Sequence, residues 1–229
     1  FRLHPVVGLP HRRAHLTPIL FPSSTRLSQT LRTHPQRRAE ALHRILLLAV
    51  LVAPALAHAQ SSAQEAARWC ESSPPAISLE NSIAGCSWLL RSSNLQPSDR
   101  AKALRLRAIR SGANDDLSGA LNDLNEAIRL APQVWIAFLD RGVTKQLLGD
   151  KAGAMADFDE AARLNPRDPN VFLQRAGLNA STGRTPEAIA DYNDALRLDP
   201  NNPAALNARA GLRIAAGDIQ GAQADLDSS

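Results

Sequence analysis

Apolar and polar positions in the second half of the chain repeat with a period of 34 residues. Between residues 135 and 166, apolar residues recur at helical spacing, which predicts two amphipathic helices over Val134–Leu148 and Lys151–Leu164. Gly149 lies between them, where a residue with positive φ ends the first helix at little cost. The same residue types return when this segment is shifted by one period. The pattern therefore predicts a series of helical hairpins.

Six columns of the repeat carry its small, large apolar and proline positions. Small residues let the two helices approach closely, large ones fill the remaining space, and the proline cannot continue the second helix. One hairpin cannot bury its apolar face alone, so neighbouring hairpins must stack. The columns are Leu104, Phe138, Phe172 and Leu206; Ala108, Gly142, Ala176 and Ala210; Ala120, Ala154, Ala188 and Ala222; Leu124, Phe158, Tyr192 and Leu226; Ala127, Ala161 and Ala195; Pro132, Pro166 and Pro200.

A 34-residue period with small-residue, aromatic and closing proline columns resembles the tetratricopeptide repeat. The resemblance covers residues 101–229, as three repeats and a truncated fourth. It implies an all-α fold, an α-solenoid of antiparallel helix pairs stacked in a right-handed superhelix. It also implies a non-enzymatic scaffold that binds a peptide or a partner helix on a concave face, which the first helix of each unit lines.

The resemblance implies a set of partner-binding positions on these first helices. They mix polar and apolar side chains with few aromatic anchors, which favours modest affinity. The set is Lys102, Arg105, Asp140, Val143, Gln146, Leu147, Asn170, Leu173, Gln174, Asn207 and Gly211. One subset of the family captures peptide carboxylates with Lys and Asn residues, but the equivalent positions here are Leu106, Asp140, Gln174 and Ala208. We therefore expect an unidentified protein or peptide partner, and not a chaperone tail.

Two further columns are charged and lie on opposite helices of each hairpin. They are Arg107, Arg141, Arg175 and Arg209 on the first helix, and Asp123, Asp157, Asp191 and Asp225 on the second. In an antiparallel hairpin each Arg lies at about the height of one Asp. Strict repetition favours structural ion pairs, because binding sites usually vary between repeats; the alternative is a basic strip for an acidic partner. A third column, Arg129, Arg163 and Arg197, suits the dipole at the end of each second helix.

The first 59 residues follow a different pattern. Residues 1–36 are rich in Arg, His and Pro without helical or strand periodicity, and Met155 is the only methionine of the chain, so we expect a disordered or non-native upstream extension. Residues 37–59 combine a basic flank, the apolar run Ile45–Leu56 and an A-x-A end, which predicts a secretory signal peptide cleaved before Gln60. Twelve helical residues span about 18 Å, too short for a stable membrane anchor. The expected location is the bacterial periplasm or the exterior of the cell.

Signal cleavage changes what the composition implies. The whole chain has a formal net charge of +4, but residues 60–229 hold 18 basic and 21 acidic residues, a net charge of −3. Nucleic-acid binding therefore loses its main support. All six histidines precede residue 60, which excludes Ser–His–Asp and Cys–His catalysis and ordinary histidine metal sites. Carboxylate groups such as Asp115-Asp116 lack the spacing of a calcium loop. We expect no enzymatic activity, cofactor or metal.

Residues 60–100 are predicted to form an N-terminal helical cap with a degenerate half-repeat. Helices are expected at Ala63–Glu71 and Leu79–Arg91, followed by the first helix of the array at Arg100–Arg110. Ser98 or Asp99 could cap that helix. The cap resembles Cys-bearing helical segments that precede the array in exported bacterial repeat proteins.

Cys70 and Cys86 are the only cysteines and lie in a chain predicted to be exported. A disulfide between them would close a loop of 16 residues and contribute about 3 kcal/mol. Two buried thiols, or a redox pair, are the alternatives; the latter lacks the C-x-x-C spacing.

The sequence stops at Ser229 in a helical column, so it is expected to be a fragment. This leaves an alternative function, the docking arm of an enzyme whose catalytic domain lies beyond Ser229. A third possibility is a purely structural spacer.

Overall fold

The computed structural model describes residues 62–72, 75–92 and 94–229. The predicted extension 1–36 and signal peptide 37–59 lie outside the described residues, as does Gln60. All regular structure in the described residues is helical, which confirms the predicted all-α class. The helices are α1 (62–71), α2 (Leu79–Leu90), α3 (Pro97–Ala113), α4 (Leu117–Leu130), α5 (Trp135–Leu147), α6 (Lys151–Leu164), α7 (Pro169–Ser181), α8 (Thr185–Leu198), α9 (Pro203–Ala215) and α10 (Ile219–Asp227).

The helices pack in consecutive pairs, α3 with α4, α5 with α6, α7 with α8, and α9 with α10. Each second helix also packs against the first helix of the next pair, and α2 packs against α3 in the same way. In addition, the first helices contact one another from α3 to α5 and from α5 to α7. This arrangement confirms the predicted stacking of helix pairs.

The turn inside each pair depends on a residue in the left-handed region. Gly149, Gly183 and Gly217 have φ values of 85°, 75° and 84°, as the glycine column predicts. Asp115 occupies the same position in the first pair with φ 62°. Aspartate tolerates this conformation better than most residues, because its short polar side chain can hydrogen-bond locally. The first turn is therefore built on aspartate where the later three use glycine.

The predicted start of α3 at Arg100 is wrong, because the helix begins at Pro97 and runs to Ala113. Proline is suited to the first helical position, where its fixed φ is already helical and the missing N–H would have no partner. Ser98 and Asp99 consequently lie in the first turn and do not cap it; Gln96 precedes the helix without a side-chain cap. Three second helices, α4, α6 and α10, start differently, at aspartates whose side chains accept hydrogen bonds from glycine N–H groups. The fourth, α8, follows Arg184 and has no side-chain cap.

The core lies between the pairs. Phe158 of α6 is fully buried in a cluster that includes Val171 and Leu178 of α7, so the next first helix covers it. Gly142 of α5 makes room for this ring, because a Cβ atom at Gly142 would lie 2.5 Å from Cε1 of Phe158. Within one pair, the small residue therefore leaves space for the large ring, and the first helix of the next pair covers that ring.

The N-terminal cap is held both covalently and by a buried arginine. A disulfide joins Cys70 of α1 to Cys86 of α2, and both residues are buried. Arg110 of α3 is 8% exposed and donates from Nε to Ser82 Oγ at 3.3 Å and from Nη2 to the carbonyl of Ser72 at 3.2 Å. These contacts fix α1 and α2 on the first pair of the array.

Candidate functional site

Each column arginine lies against the column aspartate of its own pair. The carboxylates are nearly buried, with side-chain exposures of 12%, 5%, 7% and 4% in chain order. The Nη2–Oδ1 distances are 2.7 Å for Arg107–Asp123, 2.6 Å for Arg141–Asp157 and 2.6 Å for Arg175–Asp191, and Arg209–Asp225 makes the same contact. The pairing is repeated in all four pairs and uses two guanidinium nitrogens each time.

The remaining guanidinium nitrogen of each arginine reaches the preceding second helix. Nη1 donates to Ser87 Oγ at 3.1 Å, Asn125 Oδ1 at 2.9 Å, Asp159 Oδ1 at 2.8 Å and Asn193 Oδ1 at 2.6 Å. Each arginine therefore connects two neighbouring units. Sequence reasoning missed these acceptors, although three of them repeat with the 34-residue period.

A second donor column also reaches the buried aspartates. Asp157 forms an ion pair with Lys145, and Asp191 and Asp225 accept hydrogen bonds from Asn179 and Arg213, each at 2.8 Å. Burial alone would raise the pKa of Asp225, but hydrogen bonds from Arg209 and Arg213 outweigh it, so this pKa is lowered. The column charges are satisfied inside the fold and are poorly placed to bind an acidic partner.

The third arginine column is exposed. Arg129, Arg163 and Arg197 pair with an acid three residues earlier on the same helix, and their own side chains are 68%, 65% and 66% exposed. Hydrogen bonds from these arginines lower the pKa of Glu126 and of Glu160. Pairs of this kind contribute little to stability.

A groove between the first two units combines an apolar lining with a charged pair. We call it the α3–α5 groove. It contains two hollows, of about 300 Å³ and about 100 Å³. The larger is lined by Ala108, Ile109, Leu117, Leu124, Val143 and Leu147, with Asp140 at its edge. The smaller is lined by Ala101, Lys102, Arg105, Ala127, Val134 and Ala137. Five predicted partner-binding positions are thus brought together here: Lys102, Arg105, Asp140, Val143 and Leu147.

An ion pair lies across this groove. Arg105 Nη1 of α3 donates to Asp140 Oδ2 of α5 at 2.9 Å, and the two side chains are 19% and 22% exposed. Burial raises the pKa of Asp140, and the hydrogen bond from Arg105 offsets this only in part. Leu147, which is 65% exposed, lines the larger hollow together with Asp140, two helical turns further along α5. The groove can therefore receive an apolar side chain next to a partly desolvated carboxylate.

The other predicted positions do not join the groove. Asn170, Gln174, Asn207 and Gly211 are exposed on α7 and α9 and line neither hollow. Leu173 is partly buried against the core formed by α7, α8 and α9, and it lines neither hollow. Gln146 is half-buried, and its Oε1 has no hydrogen-bond partner among the described residues. Lys102 also extends towards the cap, where its Nζ lies 2.6 Å from Glu71.

The described residues contain neither a metal-binding cluster nor a membrane-spanning helix. No group of three or more His, Cys, Asp or Glu residues is arranged there to hold a metal ion. None of the helices in the same part has the length and apolar character needed to cross a membrane.

Residues 178–212 match the family model of the TPR repeat. The fold is similar to residues 41 to the end of MamA from Desulfovibrio magneticus RS-1, with a TM-score of 0.62, 14% identity, and coverage of 72% of this chain and 92% of that one. The first TPR of Spaghetti (RPAP3), solved with the HSP90 peptide SRMEEVD, gives a TM-score of 0.51 at 22% identity, covering 52% of this chain and 98% of that one.

YrrB, a TPR protein with an unusual peptide-binding site, gives a TM-score of 0.53 at 19% identity, covering 66% of this chain and 75% of that one. No curated protein sequence matches the chain. These similarities confirm the tetratricopeptide fold that the sequence pattern predicts.

Proposed function

We propose that this tetratricopeptide array is a non-enzymatic interaction module that binds a peptide or a partner helix in the α3–α5 groove. The first helices α3 and α5 form this surface, on the side that the resemblance to tetratricopeptide repeats implies is the concave face. The predicted signal peptide supports a role in the periplasm or outside the cell. A role as the docking arm of an enzyme remains a prediction from the sequence.

The observation that carries the proposal is the apolar lining of the groove beside the Arg105–Asp140 pair. A solvent-exposed leucine next to an apolar hollow of about 300 Å³ is a place where an aliphatic side chain of a ligand can be buried. Two of the similar structures, RPAP3 and YrrB, are described as binding peptides, which supports the same class of function.

The charges of the groove disfavour the carboxyl terminus of a peptide. Asp140 is an acid, and Arg105, the cation nearest to it, is already engaged with it. A terminal carboxylate would therefore meet a like charge without a free cation to pair with. The expected ligand is an uncharged or cationic segment with an aliphatic anchor.

The test is a peptide-display selection against the purified full chain, followed by affinity measurements on the selected peptides. Leu147→Asp removes an exposed apolar contact, so it should keep the helical circular dichroism of the wild type and weaken binding at least tenfold. Asn122→Glu, an exposed position on the second helix α4, is the matched control and should leave affinity unchanged. Equal affinities for wild type and Leu147→Asp would refute the proposed site, as would a selection that enriches no peptide.

A further inference from the structure

The side chain of Asp140 is a largely desolvated carboxylate that accepts one hydrogen bond from the described residues. The bond comes from Arg105 Nη1 and ends on Oδ2, at 2.9 Å. Oδ1 accepts none from the part of the chain that the structure describes. An ionised carboxylate offers about four lone-pair sites to donors on its two oxygens. Asp140 therefore keeps acceptor capacity that these contacts do not use.

The column aspartates show how this fold treats its most buried carboxylates. Each of them receives at least two guanidinium nitrogens, and Asp157 pairs with Lys145 in addition to both nitrogens of Arg141. Asp140 is 22% exposed and has a single donor. Burial raises its pKa, and the bond from Arg105 offsets this only in part. The charge of Asp140 is thus less well compensated than the charges of the columns.

The larger hollow of the α3–α5 groove gives a further donor access to this carboxylate. Of the described residues that line the hollow, Asp140 alone is charged, and Ile109, Val143 and Leu147 are among its apolar neighbours. A lysine or arginine side chain suits such a lining, because its methylene stem packs on apolar surface while its cationic end stays with a polar group. The larger hollow is therefore complementary to a basic side chain in both charge and polarity.

The smaller hollow does not suit the same side chain. Lys102 and Arg105 line it, and none of its described lining residues is acidic. A basic side chain placed there would meet like charges. The two hollows thus differ in charge, and the larger one is the place in the groove for a cation.

We propose that the α3–α5 groove selects peptide segments that carry a lysine or arginine beside their aliphatic anchor. The cationic group donates to Oδ1 of Asp140, Oδ2 stays with Arg105, and the aliphatic anchor packs against Leu147. Leu147 lies two helical turns beyond Asp140, about 10 Å along α5, so the two ligand residues are about three positions apart in an extended peptide. This inference rests on the function proposed for the groove and names the class of peptide that it takes.

The first test is a pair of peptide-display selections with one random library, against the full chain and against its Asp140→Asn variant. Selection on the wild type should enrich lysine and arginine at a fixed spacing from an aliphatic residue. Selection on the variant should keep the aliphatic preference and lose the basic one, because an amide carries no charge to attract the cation. Equal helical circular dichroism of the two proteins is the check on folding.

The second test compares the synthetic consensus peptide with a version in which norleucine replaces the basic residue. This replacement should weaken binding to the wild type about tenfold, as expected for loss of a charge-assisted hydrogen bond, and binding to Asp140→Asn less than about twofold. Arg105→Met removes the competing cation, so it should strengthen binding of the basic peptide about two- to fivefold. Asn122→Glu adds an acid outside the groove and is the control for general attraction between charges; it should change neither affinity.

The opposite signs expected for Asp140→Asn and Arg105→Met separate this inference from a structural role of the pair. A pair that only held the groove in shape would give weaker binding of both peptides in both variants, and that result would overturn the inference. A basic preference that survives in Asp140→Asn would also overturn it, because the cation would then bind elsewhere. Peptides that bind through Leu147 without any basic preference would refute the inference and leave the proposed function standing, whereas a wild-type selection that enriches no peptide would refute both.

Discussion

Replacing Arg141 by alanine tests whether the charged columns hold the fold together. Arg141 donates to both carboxylate oxygens of Asp157, whose side chain is 5% exposed, and its third nitrogen reaches Asn125. Its guanidinium also lies 5.5 Å from the ring centroid of Phe138. All of these contacts disappear in the variant, and the bonds to Asp157 are lost at a carboxylate that is almost fully buried.

The expected loss of stability depends on which partners Asp157 keeps in the variant. Hydrogen bonds to charged groups contribute about 1.5–3 kcal/mol each, and stranding a buried charge completely costs about 3–5 kcal/mol. Lys145 stays 2.8 Å from Asp157 and continues to neutralise it. We therefore expect Arg141→Ala to lower the free energy of unfolding by about 2–3 kcal/mol. For a chain of this size the Tm should fall by about 4–12 °C.

The assay is thermal and urea unfolding followed by circular dichroism at the helical band. Arg163→Ala is the matched control, because Arg163 pairs with Glu160 on the exposed surface of the same unit and should leave Tm nearly unchanged. The swapped variant Arg141→Asp with Asp157→Arg should recover part of the loss in a double-mutant cycle. Equal Tm values for wild type and Arg141→Ala would refute the structural role. They would favour the alternative, that the arginine column is a basic strip that binds an acidic partner.

Three other changes probe the core, the groove and the cap. Gly142→Ala should cost about 1–3 kcal/mol in urea unfolding, because the new Cβ would meet the ring of Phe158; adding Phe158→Leu should recover part, since the first unit pairs alanine with leucine at these positions. Asp140→Asn should gain stability relative to wild type as pH rises from about 4, because the raised pKa of Asp140 favours its protonated form in the folded state. Replacing Cys70 and Cys86 together by serine should cost about 3 kcal/mol and open the cap to proteolysis first.

Each of these has a result that would contradict it. Unchanged urea midpoints for Gly142→Ala would mean that the ring moves aside freely. A stability difference between wild type and Asp140→Asn that is flat from pH 4 to 7 would mean that the hydrogen bond from Arg105 cancels the effect of burial. Proteolysis of the serine variant that begins within the array would show that the disulfide does not limit opening of the cap.

The hairpins could be predicted because their determinants are local and repeat. Small and large columns, turn glycines and closing prolines each act within a few residues, and all recur after 34 positions. Asp115 shows where residue type misleads, since it takes the left-handed conformation of the glycine column. The start of α3 was missed for a similar reason, because Pro97 begins the helix without a side-chain cap.

Contacts between units were harder to predict than the units themselves. Arg105 and Asp140 were both expected to face a partner, but they pair with each other across two units, 35 residues apart, outside the 34-residue columns. Leu173, predicted on the same surface, is partly buried against the core between its own unit and the next and lines neither hollow of the α3–α5 groove. A single hairpin does not specify which positions its neighbours cover, so these outcomes depended on the stacked structure.

The double role of the column arginines has a consequence for how such a chain can change length in evolution. Each guanidinium binds an aspartate 16 residues ahead, and those of Arg141, Arg175 and Arg209 also bind an acceptor 16 residues behind, so these units carry matching parts for both of their junctions. Deleting residues 135–168, one whole period, would bring Arg175 to the same distance from Asn125 that now separates it from Asp159. An amide would replace a carboxylate, and every guanidinium would still find an acceptor. Duplication or loss of whole units therefore needs no new interface, whereas a deletion of any other length would break the register of the hydrogen bonds that join the units.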